Sequence, residues 1–176
     1  MDFYCERTNG QIFNEPVNAI SNIFFIIVSL SLIKILRKNQ SNKIYYIQPI
    51  LIFFIGIGSF LFHLNPNIIT LYSDVIPIFL FSLSFIFFFN RDVININYLN
   101  NALLFLLFFF LFLFITPKIN YEILNGSEFY FANYFFLTMY TIWLYLKKSD
   151  FFQLLLLGFI FFNLSILLRS LDNHIC

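Results

Sequence analysis

Residues 44–63 read IYYIQPILIFFIGIGSFLFH, an apolar stretch with no acidic residue, Lys or Arg that ends on a histidine. A helix rises 1.5 Å per residue, so about 20 such residues cross the roughly 30 Å of membrane hydrocarbon. The stretch lacks the period-2 alternation of a barrel strand. Closed helical hydrogen bonding is the only other way for a backbone to span lipid. The whole chain agrees with this reading. Of its 176 residues 60% are hydrophobic and 11% charged, with a mean hydropathy of +0.83. Soluble domains carry about 25% charged residues, so this chain cannot cover its own surface in water. A soluble enzyme, a disordered tail and a disulfide-rich secreted module are thereby excluded. The net charge of +1 is too small for a nucleic-acid binder. Twenty-nine Phe against three Ala, with many Ile, Asn and Lys, point to an AT-rich coding sequence, so Phe abundance by itself carries no functional message.

Working outward, apolar runs fall at about 17–36, 44–63, 71–89, 99–116, 128–146 and 151–169. They predict an all-α integral membrane bundle of six spans in one domain, 1–176. The fourth run is the least featured. Punctuation separates the runs: Arg37-Lys38-Asn39-Gln40, Asn65-Pro66-Asn67, Asn90-Arg91-Asp92, Pro117-Lys118 with Asn125-Gly126, and Lys147-Lys148-Ser149-Asp150. No basic stretch or small-residue cleavage site of a signal peptide opens the chain, so the first span is expected to be its own insertion signal. With the N-terminus outside, the inner loops hold Lys34, Arg37, Lys38, Lys43, Arg91, Lys147 and Lys148, and the outer side only Arg7, Lys118 and Arg169. Seven against three favours that orientation.

Ionisable groups in or beside spans are costly and tend to mark function. In this orientation Glu15, His63, Asp74 and Arg169 all lie towards the outer face, with Glu6 and Asp172. Ser59 and His63, four residues apart, share a helix face. Gly56 and Gly58 let neighbouring helices approach closely. His63 reads either as a metal-binding imidazole beside a hydroxyl or as an interfacial residue at a helix end. Asp74 reads either as a functional carboxylate or as a cap opening the third span. Glu15, Asn18 and Asn22 form a polar stripe at i, i+3 and i+7 that must face other helices or water. It serves interhelical hydrogen bonding or, with Glu6 and Asp2, supplies the hard oxygens that calcium prefers. Arg169 and Asp172 are spaced to pair on one helical turn, and His174 reads as part of a polar tail. Cys5 and Cys176 both fall outside, where a disulfide is permitted; two free thiols are the alternative.

Three separated motifs carry a resemblance to a known family. Tyr4-Cys5-Glu6-Arg7 with Glu15-Pro16-Val17-Asn18-Ala19-Ile20-Ser21-Asn22 resembles the opening of alkaline ceramidases and their bacterial relatives. Gly56-Ile57-Gly58-Ser59-Phe60-Leu61-Phe62-His63 followed by Asp74-Val75-Ile76-Pro77 resembles their central signature, and Arg169-Ser170-Leu171-Asp172 with Cys176 their late one. The resemblance implies a seven-helix intramembrane metal hydrolase related to adiponectin receptors. Carried over residue by residue, it makes His63 a zinc ligand, Ser59 an oxyanion stabiliser and Asp74 the group that holds and deprotonates the attacking water. Glu6 and Glu15 would belong to a calcium site, with Asp2 and the backbone carbonyls of Tyr4 and Thr8. Cys5 and Cys176 match the family's disulfide positions. The implied reaction is hydrolysis of the amide of ceramide or another N-acyl membrane lipid, in a multi-pass protein of the bacterial inner membrane.

Two departures bear on that expectation. The family's other zinc ligands stand in a His-x-x-x-His pattern on a seventh helix beyond the position of Cys176, where this sequence stops. The 176-residue form is therefore expected to be inactive, and a non-catalytic receptor-like or lipid-binding bundle is the alternative. Animal members have Asp at the place held here by Phe3, which separates Asp2 from its family position.

Overall fold

A computed structural model describes residues 15–119 and 125–175, the last four by backbone alone. The described residues are helical almost throughout, with no strand among them. Five helical stretches are long and apolar enough to cross a membrane: Pro16–Lys38, Lys43–Leu64, Ile68–Ile94, Tyr98–Lys118 and Phe152–Leu171. Many large apolar side chains on them are exposed, Ile69 and Leu154 by more than 70%, a surface that suits lipid and not water. The protein is therefore a polytopic helical membrane protein. Its chain divides into two compact units, Met1–Asn95 and Ile96–Cys176.

In the first unit, Pro16 occupies the opening position of α1 (Pro16–Ser21), where its missing N–H costs nothing. Asn22 joins α1 to α2 (Ile23–Lys38). Left-handed Gln40 ends the run, and a short 3-10 turn at Lys43–Tyr46 leads into α3 (Ile47–Leu64). Helix α4 (Ile68–Phe88) continues into a π-helical turn at Phe89–Ile94. Its start lies three residues before the expected 71, because the Asn-Pro-Asn turn is itself the cap. The Asn67 side chain accepts from the N–H groups of Ile69 and Thr70, at 2.9 and 3.1 Å, and the Thr70 hydroxyl accepts from the Asn67 N–H at 3.0 Å. This capping box satisfies donors that a helix start leaves open.

Helices α3 and α4 run antiparallel in a register pinned at three depths. Near one end the Tyr45 hydroxyl contacts Asp92 and Arg91, at 3.2 and 3.0 Å. Further along, Gln48 Nε2 donates to Ser84 Oγ at 2.8 Å. Near the other end, a β-carbon built on Gly58 would fall 1.9 Å from the Ser73 carbonyl oxygen. Helix α2 is tied to α3 by Ser29 Oγ, which donates to the Pro49 carbonyl at 2.6 Å in the interior.

In the second unit, Asn97 caps α5 (Tyr98–Phe110), accepting from Asn100 N–H at 2.8 Å. A π turn at Leu111–Ile115 and a 3-10 turn at Thr116–Lys118 follow. The run expected at 128–146 begins as a 3-10 turn, Ser127–Tyr130, before α6 (Phe131–Leu146). Asn125 and Gly126 are both left-handed, so the chain cannot be helical before Ser127. The four residues of that turn run directly into the 16 of α6, and together they rise about 30 Å, the thickness of the hydrocarbon. Left-handed Lys148 turns the chain into α7 (Phe152–Ile175). The interior is aromatic: Phe108 meets Phe136, and Phe136 meets Tyr140, with ring centroids 5.7 and 5.8 Å apart. All three rings are buried.

Candidate functional site

The polar residues expected from the sequence meet on α3, and two glycines explain how. Residues on a helix advance by about 100°, so Gly56 and Gly58 look to nearly opposite sides. A β-carbon on Gly56 would sit 3.0 Å from side-chain atoms of Phe25 and Ile26 and 3.2 Å from the Asn22 carbonyl oxygen, which places α1–α2 on that side. Gly58 faces α4, against the peptide joining Ser73 to Asp74. Helix α3 is thus held between two neighbours at backbone distance.

His63 stands seven residues, two turns, beyond Gly56 and so faces α1. There its Nδ1 meets Oε2 of Glu15, the residue that opens α1. Glu15 is fully buried and His63 is 6% exposed. Burying a carboxylate is affordable only when it is paired and hydrogen-bonded, and this contact supplies a partner for each group.

Asp74 does not cap α4, because Asn67 and Thr70 do. It stands on the second turn, where its backbone nitrogen would be 2.9 Å from a β-carbon on Gly58. That level is also the level of Ser59, the next residue of α3. Oδ1 of Asp74 is shielded from solvent, while Ser59 is half-buried. The site therefore has two storeys. Ser59 and Asp74 occupy one, and Glu15 with His63 lies about one helical turn further along α3.

The polar stripe of the first span is used locally. The Asn18 carbonyl accepts from Ser21 Oγ and from Asn22 Nδ2, both at 2.8 Å. Arg169 belongs to the second unit. Its Nε donates to the Asn125 carbonyl at 2.9 Å, Asn125 Nδ2 returns a bond to the Arg169 carbonyl at 3.0 Å, and the guanidinium lies 6.0 Å from the Tyr130 ring centre. The side chain of Asp172, its expected partner, lies outside the described residues, as do Asp2, Tyr4, Cys5, Glu6, Thr8, His174 and Cys176.

Sequence reasoning passed over Ser127 and Glu128. Both are buried, and Ser127 Oγ and Glu128 Oε2 have no hydrogen-bond partner among the described residues. The left-handed Asn-Gly pair before them was the available signal, since it forces the next residues into a tight turn under the helix end.

Among the described residues no group of three or more His, Cys, Asp and Glu side chains is arranged to hold a metal ion. A catalytic zinc needs about three protein ligands, and the described residues bring one imidazole with one carboxylate. They do not fit zinc by themselves. They offer instead a hydroxyl donor, a carboxylate and a carboxylate-held imidazole among apolar helices.

These features define a class, the polytopic helical membrane proteins with ionisable side chains buried between their helices. The family model described as Ceramidase matches residues 4–176, and the chain belongs to the ceramidase family, a family of hydrolases. No curated protein and no solved structure matches the chain.

Proposed function

We propose that this protein hydrolyses the amide bond of ceramide or a similar N-acyl lipid, releasing a fatty acid and an amine-bearing base. The observation that carries the reading is the close approach of Gly58 to the Ser73–Asp74 peptide, which sets Asp74 at the level of Ser59, about one turn of α3 from the buried Glu15–His63 pair. The water oxygen adds to the amide carbonyl carbon, and its proton passes to the Asp74 carboxylate acting as general base. The Ser59 hydroxyl donates to the oxyanion, a contact worth most in a dry site. Asp74 then returns the proton to the departing nitrogen as the C–N bond breaks. The apolar surroundings receive the acyl chain.

Zinc, with His63 as one ligand, would acidify the attacking water, but the described residues fall short of such a site by themselves. The chain holds two histidines, His63 and His174, so these 176 residues by themselves are expected to retain little zinc and turn over little substrate. Calcium bound by Asp2, Glu6, Glu15 and the carbonyls of Tyr4 and Thr8, a Cys5–Cys176 disulfide, an external N-terminus and an inner-membrane location complete the proposal.

The test compares fatty-acid release from N-acyl lipids by two purified forms, the 176-residue chain and the same chain followed by a helix carrying His-x-x-x-His. Release by the longer form, lowered about 10²–10⁴-fold by Asp74→Asn, is the expected result. No release from any N-acyl lipid would sink the hydrolase reading and leave a lipid-binding bundle. Stoichiometric zinc in the short form would overturn the argument from ligand number.

A further inference from the structure

The turn that joins α6 to α7 carries two opposite charges beside one cleft. The Ser149 N–H donates to the Leu144 carbonyl and the Lys148 N–H to the Tyr145 carbonyl, both at 3.1 Å, the paired closure that ends many helices on a left-handed residue. Glycine is the usual residue at that place, yet Lys148 occupies it with φ 51°. The Ser149 carbonyl then accepts from the Phe152 N–H at 3.0 Å, and the Ser149 hydroxyl from the Phe151 N–H at 3.3 Å, which ties the turn to the start of α7. The cleft measures about 510 Å³ and is lined by Tyr145, Lys148, Ser149, Asp150, Phe152 and Gln153. Lys148 and Asp150 are both exposed, and neither is ion-paired among the described residues. Depth identifies the occupant. Phe152 opens a membrane span, so the turn lies where lipid headgroups do. Around it Leu146, Phe151 and Leu154 are more than half exposed, a surface that suits acyl chains.

We propose that this cleft binds the zwitterionic phosphoethanolamine headgroup of a membrane lipid, its phosphate on the Lys148 ammonium and the Gln153 amide, its own ammonium on the Asp150 carboxylate. Hydrogen bonds between ionised groups are about twice as strong as neutral ones, and this headgroup makes one with each free charge. A phosphoglycerol headgroup would answer Lys148 and leave Asp150 without a partner. A choline headgroup has no N–H to give Asp150 and is ordinarily held in a cage of aromatic rings. Here Tyr145 and Phe152 lie against each other, with ring centroids 5.4 Å apart. Lys147 is exposed as well, but it is not among the residues lining the cleft.

The experiment is native mass spectrometry of the full chain, released from nanodiscs of equal parts phosphatidylethanolamine, phosphatidylglycerol and phosphatidylcholine, with the retained lipids counted. Phosphatidylethanolamine is expected in excess over the other two. Lys148→Gly suits the left-handed backbone and so keeps the turn; it should lower the retained phosphatidylethanolamine about fivefold, the effect of one basic residue at a lipid surface. Lys147→Gln removes the same charge outside the cleft and should leave retention unchanged. Asp150→Asn should abolish the preference for phosphatidylethanolamine over phosphatidylglycerol. An excess of inorganic phosphate should displace nothing, whereas displacement would make the ligand a free anion and not a lipid. Equal retention of the three lipids, equal losses from Lys147→Gln and Lys148→Gly, or an undiminished preference in Asp150→Asn overturns the proposal. So do variants that change only the melting temperature and leave the lipid ratio unmoved, since the two charges would then serve the helix dipoles alone.

Discussion

Ser29 shows how little a single buried polar contact has to contribute here. Its hydroxyl donates to the Pro49 carbonyl at 2.6 Å, but that carbonyl lies inside α3, where the helix already offers it an N–H. Hydrogen bonds between helices in membranes average about 0.6 kcal/mol. Ser29→Ala is therefore expected to cost about that much, read from reversible unfolding in mixed micelles. A loss of several kcal/mol would show that the carbonyl depends on the serine. Arg169 stands at the other extreme. Its guanidinium donates to Asn125 across a turn with two left-handed residues, and hydrogen bonds from charged groups are worth about 1.5–3 kcal/mol. Arg169→Gln should speed amide exchange at 125–130 by the corresponding factor and leave residues 47–88 unchanged. His63 and Asp74 were visible in the sequence because ionisable groups in an apolar field stand out. Their partners were not. Glu15 was assigned beside Glu6 by its place in the chain, and nothing in a linear reading says that a residue 48 positions away will meet an imidazole. Asp74 read as a helix opening because the apolar run starts near 71, while the helix starts at Ile68, where polar Asn67 and Thr70 do the capping.

At the scale of helices, the glycines separate packing from propensity. A methyl group on Gly58 would collide with the backbone of α4 at 1.9 Å, and backbone cannot step aside as a side chain can. Gly58→Ala is expected to destabilise the first unit by about 3 kcal/mol or more, the upper end of overpacking costs. Gly56→Ala meets the Phe25 and Ile26 side chains and the Asn22 carbonyl at 3.0–3.2 Å, and should cost about 1–3 kcal/mol. Gly158 in α7 has nothing within 4 Å of the same position, so Gly158→Ala should stabilise by up to about 1 kcal/mol through helix propensity. Thermal melts of the three variants give the order directly, and a Gly58→Ala protein as stable as wild type would refute the close approach of α3 and α4. The spacing of Gly56, Ser59 and His63 was legible in advance. The direction each glycine faces became definite only once its neighbours were placed.

At the scale of the whole molecule, composition settled the membrane character, because no soluble surface can be made from so few charges. It could not settle where a span departs from regular α-helix. The run at 128–146 opens on the 3-10 turn Ser127–Tyr130, because left-handed Asn125 and Gly126 stand directly before it, and α6 proper starts only at Phe131. The proposed orientation is testable in a background carrying Cys5→Ser and Cys176→Ser. Ser149→Cys should resist a membrane-impermeant thiol reagent applied from outside, and Asn67→Cys should react. The reverse pattern would invert the topology. In the unmodified chain, a free-thiol assay on unreduced, denatured protein should find no reactive thiol, and two would refute the disulfide.

The latch between Arg169 and the 125–130 turn bears on how the chain is made. Its cation is synthesised 44 residues after the turn that receives it. A guanidinium cannot rest in bare hydrocarbon, so α7 has no comfortable resting place until that receptor turn has formed. Biogenesis thereby acquires an order: a nascent chain whose turn is misbuilt would hold α7 at the translocon or surrender it to quality-control proteases.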